Sequence, residues 1–240
     1  MNSIKDKTVA ELVTDNIKNA HVFKKYGIDF CCGGGEKLET ACKRRKVNLK
    51  DIERDLLNAY NHGSREYKYN SWELDFLSDH IVNVHHQYVE ESIPMLLNYC
   101  ERVVRSHANE QPELREIENL FHQLAGELKT HLKKEELILF PFINKMVKAE
   151  KEGTKLERPP FGNASSPVKM MEEEHESAGD LIRKIAELSD GFTPPQGACN
   201  TFKAFYSKLD EFEKDLYLHI HLENNILFPK ALALEKKVMI

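Results

Sequence analysis

Hydrophobic residues recur every three or four positions along most of this chain, which is the spacing of amphipathic α-helices rather than of strands. Leu, Ile, Glu and Lys fill these stretches, and Gly and Pro are rare within them. From Trp72 onward the pattern predicts four long helices, at residues 72–105, 112–149, 165–189 and 197–235. The expected fold of residues 69–240 is therefore an all-α four-helix bundle.

The first 68 residues have shorter periodic stretches, which glycines interrupt. We predict a small helical N-terminal domain over residues 1–68. Its helices are expected from about Val9 to Gly27, from about Glu36 to Arg45, and after Asn48 as N-cap. The polar segment NHGSREYKYNS is expected to separate this domain from the bundle.

Composition and charge narrow the class of protein. The 240 residues are 41% hydrophobic and 30% charged, as in water-soluble globular proteins, and a formal net charge of -5 offers nucleic acid no general attraction. No run approaches the roughly 18 apolar residues of a membrane helix, and the N-terminus lacks an export signal. The five cysteines form neither a disulfide framework nor a CxxC pair. We therefore expect a cytoplasmic protein with reduced thiols and no nucleic-acid or membrane partner.

One sequence frame occurs twice in the predicted bundle. HLKKEELILFP, residues 131–141, and HIHLENNILFP, residues 219–229, share the frame H-x-x-x-E-x-x-I-L-F-P at an offset of 88 positions. The repeat indicates a duplicated helical hairpin, whose equivalent positions face each other across a pseudo-twofold axis. Pro141 and Pro229 end the two frames and are expected to kink their helices, as is Pro94 in the first long helix.

The repeated frame has the spacing of a metal site. Residues four apart lie on the same face of a helix, so His131 lies over Glu135, and His219 lies over Glu223. The Ile-Leu-Phe of each frame requires burial, and a buried imidazole and carboxylate need a compensating charge. A bound cation would supply that charge.

The other two helices each offer a histidine. His175 lies on the third helix, and the first helix offers His80, His85 and His86. The position 88 residues before His175 is Gln87. Matching His86 to His175 in the repeat therefore requires a one-residue insertion or deletion, and matching His85 requires two residues. We favour His86, and we interpret His80 and His85 as structural or surface histidines, with a role near the site as the alternative.

Six donors fit two metal ions better than one. A single zinc ion would need only three or four ligands, and structural zinc sites usually recruit cysteine. Imidazole and carboxylate are compatible with iron, and helical bundles hold paired iron ions with bridging carboxylates. Glu135 and Glu223 are the expected bridges.

Three further acids are candidates for hydrogen bonds to ligand imidazoles. Glu127 precedes His131 by four residues and Asp215 precedes His219 by four, again at an offset of 88. An acid at such a position can fix the orientation of the imidazole, although it can equally face solvent. Glu174, beside His175, is a weaker candidate for the same role.

Cys31 and Cys32 precede three glycines in the N-terminal domain. Exposed backbone amides at the following helix start would lower the pKa of a thiol, which predicts thiols available for redox chemistry or metal transfer. The alternative is a tight turn with partly buried cysteines. A disulfide between adjacent residues would be strained and labile.

The bundle motifs resemble those of hemerythrin-like domains. Together with YGIDFCCGGG and MEEEHESAG, the two H-x-x-x-E frames are similar to the di-iron proteins that repair iron centres. The resemblance implies two non-haem iron ions, bridged by carboxylates and an oxo or hydroxo group. It also implies repair of iron-sulfur clusters damaged by nitric oxide or peroxide. The ligands that it implies are His86, His131, Glu135, His175, His219 and Glu223.

The expected partners are damaged iron-sulfur proteins and small ligands such as nitric oxide or dioxygen, and a homodimer is compatible with the sequence. Three alternative functions use the same bundle: binding or sensing of dioxygen or nitric oxide, an enzyme that reduces nitric oxide or oxidises iron, and an iron store or chaperone that would hold well over two irons per chain. Repair predicts release of iron and dependence on Cys31 and Cys32. A sensor predicts reversible binding, and a reductase predicts multiple turnovers with an electron donor.

Overall fold

Helices form most of the computed structural model, which describes residues 4–61 and 68–240. The predicted all-α bundle is confirmed, and the ends of its helices lie close to the predicted positions. Residues 62–67 of the predicted separating segment lie outside the described residues.

Three of the four long bundle helices contain a wider, π-helical turn. The first runs through α5 (Leu74–His80), a π turn (Ile81–His86) and α6 (Gln87–His107). The second runs through α7 (Glu113–Lys134), a π turn (Glu135–Leu139) and α8 (Phe140–Glu152). The third is α9 (Ser165–Leu188), and the fourth runs through α10 (Asn200–Leu222), a π turn (Glu223–Leu227) and α11 (Phe228–Val238). Helix α7 packs on α6 and α9, and α10 packs on α6.

The π turns coincide with the repeated frame. Glu135 and Glu223 each begin a π turn, and Pro141 and Pro229 lie in the first turn of the α-helix that follows. A proline ring would collide with the carbonyl group one α-turn earlier, and a wider turn relieves that contact. Each proline thus accompanies a local change of helix type, whereas Pro94 lies inside α6.

Within residues 4–61, the N-terminal unit contains one more α-helix than we predicted, in addition to a single 3-10 turn at Ile4–Asp6. Its helices are α1 (Val9–Asp15), α2 (Asn19–Lys25), α3 (Leu38–Arg45) and α4 (Leu49–Asn61). The single helix expected from Val9 to Gly27 was wrong, because Asn16 is extended and its side chain accepts a bond of 3.0 Å from the Lys18 amide. Asparagine favours such local bonds over helix continuation. Asn48 accepts a bond of 2.9 Å from the Lys50 amide, as an N-cap does.

The N-terminal unit is docked against the bundle. Phe30 is buried, and its ring meets the edge of Tyr217, with ring centroids 6.1 Å apart. Lys24 pairs with Asp210 at 2.9 Å and with the buried Glu213 at 2.5 Å, both on α10. Residues of both parts belong to one hydrophobic core, so the unit and the bundle share buried surface.

The bundle core consists of two hydrophobic clusters along its length. In the first long helix, one cluster extends to Ile81 and the other resumes at Val89. In the second, one extends to Leu132 and the other resumes at Leu139. The residues between the clusters include the candidate ligands, so these form a polar layer across an otherwise apolar core.

Removing the Phe30 ring tests the docking. Phe30→Ala is expected to lower the free energy of unfolding by about 3–5 kcal/mol, because it leaves a cavity at the interface with the bundle. Phe76→Ala is the matched control, since Phe76 is 57% exposed, and should cost about 0.5 kcal/mol or less. Urea unfolding of the full chain measures both, and equal losses would contradict the docked arrangement.

Candidate metal centre

The structure brings the six predicted ligands together inside the bundle. Each long helix contributes one histidine, and the second and fourth also contribute a glutamate four residues later. All six side chains are buried, with exposed fractions between 0% and 3%. They are His86, His131, Glu135, His175, His219 and Glu223.

The six residues form two overlapping groups that share both carboxylates. One group has His86 and His219, the other has His131 and His175, and Glu135 and Glu223 belong to both. The ligand atoms of each group lie within 4.8 Å of one another. Each group therefore has imidazole and carboxylate donors close enough together that they could hold a metal ion.

The distances show which atoms face the centre. Glu135 Oε2 lies 3.4 Å from His86 Nε2 and 3.3 Å from His131 Nε2. Glu223 has its Oε1 3.1 Å from His219 Nε2 and its Oε2 3.1 Å from His175 Nε2. All four imidazoles therefore turn the same ring nitrogen, Nε2, towards the carboxylates.

The orientation of two imidazoles fits a bound cation. His131 and His175 bring their Nε2 atoms to 3.0 Å from each other. Each has its Nδ1 beside an oxygen acceptor, Glu174 Oε2 at 2.9 Å and Asn224 Oδ1 at 2.8 Å. With protons on both Nδ1 atoms, two Nε2 lone pairs point into the same space, where a cation is attracted to both. Both oxygens of the buried Glu135 also lack hydrogen-bond partners among the described residues.

Electrostatics of the centre favour positive charge. Burial opposes the charged form of His86, yet the nearby carboxylates of Glu135 and Glu223 raise its pKa to about 10. Burial likewise opposes the charged form of His131, and the charge of Glu135 raises its pKa to about 9. The imidazoles hold the pKa of Glu223 well below its usual range, against the effect of burial. With no cation bound, protons on two imidazoles balance the two carboxylates.

Glu136 and Asn224 orient two of the ligands, and our sequence analysis did not single them out. Glu136 Oε1 lies 2.7 Å from His86 Nδ1, and Asn224 Oδ1 is the acceptor beside His175 Nδ1. Each residue follows a repeated glutamate directly, and the two positions are also offset by 88. The signal was therefore present in the repeat, one residue beyond the ligands.

The predicted orienting acids lie in different places from those expected. Glu127 accepts bonds from Gln123 at 2.9 Å and from Ser177 at 3.0 Å, at the bundle surface. Asp215 lies 2.9 Å from Nδ1 of the buried His85, and not beside His219. Glu174 is at the centre, but its partner is His131 on the neighbouring helix.

Cys31 and Cys32 lie at the interface with the bundle. Their Sγ atoms are 3.7 Å apart and are not joined by a disulfide. Cys31 is buried. The expected lowering of a thiol pKa is wrong for Cys31, because Cys32, burial and the nearby Asp29 raise its pKa well above the usual value. Asp29 Oδ1 accepts the amides of both cysteines, at 3.0 and 3.1 Å, so these amides are paired with an anion.

Asn224 connects the double-cysteine segment to the centre. Its oxygen faces His175 Nδ1, and its amide nitrogen lies 3.5 Å from the Cys31 carbonyl oxygen. Asn225 donates a shorter bond of 3.0 Å to the same carbonyl. The backbone of Cys31 is thus two hydrogen bonds away from a candidate ligand.

His221 faces away from the centre, as its position two residues after His219 requires. It is fully buried at the docked interface, where its Nδ1 lies 3.4 Å from the Phe30 carbonyl oxygen and its Nε2 lies 3.4 Å from Thr14 Oγ1. Burial lowers its pKa to about 4, so this imidazole is neutral at physiological pH.

Comparison with known proteins agrees with this geometry. The sequence profile described as the hemerythrin HHE cation binding domain matches residues 77–231, which include all six candidate ligands. The chain belongs to the hemerythrin HHE family. A second profile, described as a domain of unknown function (DUF542), matches residues 5–60.

Individual relatives of this hemerythrin HHE protein match it along nearly its whole length. Iron-sulfur cluster repair protein YtfE of Enterobacter sp. is 34% identical over 231 residues, covering 96% of this chain and 99% of that protein. YtfE of Pectobacterium atrosepticum is 33% identical over 228 residues, covering 95% and 97%. The probable iron-sulfur cluster repair protein of Haemophilus influenzae is 35% identical over 232 residues, covering 96% and 98%. The family resemblance inferred from the motifs is confirmed.

Across residues 4–61 and 68–240, every helix is too short or too polar to cross a bilayer.

Metal binding should release protons from the centre. A divalent cation must displace the protons that His86 and His131 hold below pKa values of about 10 and about 9. The affinity for Co²⁺ should therefore rise with pH by about tenfold per unit for each displaced proton, and level off above these pKa values. Calorimetry in buffers of different ionisation enthalpy counts the protons.

His122→Ala, which removes an exposed histidine on α7, should leave the proton count unchanged. A Co²⁺ affinity that stays constant between about pH 7 and 9 would contradict the protonation assigned to the two imidazoles.

Proposed function

We propose that this protein repairs damaged iron-sulfur clusters by supplying iron from a pair of iron ions in the bundle. The observation that carries the proposal is the pair of overlapping four-residue groups with two shared carboxylates. The relatives are named iron-sulfur cluster repair proteins, which supports the repair function from sequence. Damage by nitric oxide or peroxide, and action in the cytoplasm, are parts of this proposal.

The donor set favours iron over structural zinc. The two groups contain four imidazoles, two carboxylates and no thiolate. Structural zinc sites are usually closed by cysteine, whereas imidazole with carboxylate suits iron. Two adjacent groups with common carboxylates accommodate two ions rather than one.

Iron held by these donors can be given up more readily than iron held by thiolates. Imidazoles and carboxylates are harder ligands than the thiolates that hold iron in clusters. When bound, the iron pair supplies both transferable metal and positions for small ligands such as nitric oxide and dioxygen. A damaged cluster with free thiolates is then a chemically suitable acceptor.

The protein's own residues compensate for the loss of a cation. As the positive charge leaves, Nε2 of His86 and of His131 can take up protons, because Glu135 and Glu223 hold the pKa values of these imidazoles at about 10 and about 9. The buried carboxylates are then never left without positive charge. Proton uptake therefore lowers the cost of releasing iron from an apolar core.

The docked N-terminal unit supplies thiols near the centre. Cys32 is half-buried and lies against α9, where a side chain at Gly179 would be 3.8 Å from its Sγ atom. Asn224 and Asn225 hold the Cys31 backbone over the π turn that begins with Glu223. We include Cys31 and Cys32 in the proposal as thiols that receive leaving iron or contact the damaged protein.

The function is tested by anaerobic loading with ferrous iron, followed by mixing with an iron-sulfur enzyme damaged by nitric oxide. The wild-type chain should bind about two iron ions and restore the activity of the enzyme. Glu135→Ala and Glu223→Ala should each lose the paired centre and the repair, because each removes a ligand common to both ions. Iron quantitation, Mössbauer spectroscopy and the recovered activity are the measurements.

Glu127→Ala is the matched control, since Glu127 lies on the same helix as Glu135 and bonds Gln123 and Ser177 instead. It should retain both iron and repair. Two bound irons without any recovery of the damaged enzyme would overturn the repair function but not the site. Persistence of a coupled pair in Glu135→Ala and Glu223→Ala would overturn the ligand assignment.

A further inference from the structure

The two halves of the metal centre differ in how their histidines are supported. Three ligand imidazoles have an oxygen acceptor beside Nδ1: Glu136 for His86, Glu174 for His131 and Asn224 for His175. Nδ1 of His219 has no hydrogen-bond partner among the described residues, although His219 is buried. Only the half with His131 and His175 therefore has both imidazoles supported.

His85 lies where the repeat would place an acceptor for His219. His85 directly precedes His86, as Glu174 directly precedes His175. Glu174 crosses to His131 on the neighbouring helix and lies 2.9 Å from its Nδ1. His85 crosses in the same way to His219, but its ring stacks on the ligand ring, with centroids 5.6 Å apart and planes 11° from parallel.

His85 also engages the acid that could have supported His219. Asp215 lies one helical turn before His219, and its Oδ1 is 2.9 Å from His85 Nδ1. The other oxygen of Asp215, Oδ2, is buried and has no hydrogen-bond partner among the described residues. Asp215 and the candidate ligand His219 are thus four residues apart on one helix, but the hydrogen bond of Asp215 is made with His85.

The missing acceptor matters most when a cation binds. Nε2 of His219 lies 3.1 Å from Glu223 Oε1 and can donate a proton to it. A cation needs the Nε2 lone pair, so the proton must then reside on Nδ1, where no acceptor is present. The other three ligands keep their Nδ1 bonds when a cation binds. Loss of such a supporting bond typically weakens metal binding by about 10–100-fold.

We propose that His85 diverts Asp215 from His219 and thereby makes the ion at His86 and His219 the weaker bound of the two. His85 is a positioning residue that selects which ion leaves first. The inference rests on the proposed function, since the weaker bound ion is the one available for cluster repair.

The test is an anaerobic titration of the metal-free full chain with Co²⁺, followed by absorption spectroscopy, and then release of Fe²⁺ from the loaded chain to a chelator. The wild-type chain should show two binding steps, about 10-fold or more apart, and two release phases. His85→Phe keeps a stacked ring but removes the donor to Asp215. It should tighten the weaker step by about tenfold or more and leave the tighter step unchanged.

Two further variants assign the effect. His85→Phe combined with Asp215→Ala should lose the gain, because the freed carboxylate is then absent. Glu174→Ala should weaken the tighter step by about 10–100-fold, because it removes the acceptor of His131. If His85→Phe does not fold, Glu174→Ala alone shows which of the two binding steps belongs to the site with His131.

Two equal steps in the wild-type chain would overturn the inference, as would a gain that persists without Asp215, or a Glu174→Ala effect on the weaker step. These outcomes differ from a failure of the proposed function. If only the proposed repair function fails, the two metal-binding steps and their assignments remain, while the damaged enzyme does not recover.

Discussion

The mutual repulsion of two carboxylates in an apolar core is the constraint on which this structure depends. Glu135 and Glu223 are completely buried between two hydrophobic clusters, where neither charge can be solvated. Burial of one such charge is costly, and two that share a site are worse. The imidazoles of His86 and His131 make the arrangement tolerable, because the neighbouring carboxylates raise their pKa values to about 10 and about 9 and so favour their positive form.

The surrounding architecture follows from placing these six side chains in one layer. Four long helices bring one imidazole each, and the two π turns that start at the glutamates coincide with the turns before Pro141 and Pro229. Outside the layer, side-chain oxygens fix most of the rings through Nδ1. The duplicated hairpin is symmetric in its candidate ligands and asymmetric in these supports, and the proposed difference in affinity between the two sites rests on that asymmetry.

Periodicity and the repeat were enough to predict the bundle and to pick out His131, Glu135, His219 and Glu223, because both signals are local to a helix. His86 required the family resemblance as well, since spacing left three candidates on the first helix. The supports were harder to predict, because Glu174 and Glu136 reach histidines on neighbouring helices, and that depends on helix rotation. The Cys31 environment was mispredicted because Cys32, burial and Asp29 all raise the pKa of this thiol, and these contacts depend on how the segment packs against the bundle.

Diffraction from crystals of the iron-loaded chain at the iron absorption edge tests the central claim most directly. The account predicts two adjacent peaks of anomalous density, one between His86 and His219 and one between His131 and His175, with both glutamates contacting each peak. A single peak, or iron at Cys31 and Cys32 with the buried carboxylates contacting only protonated imidazoles, would contradict it.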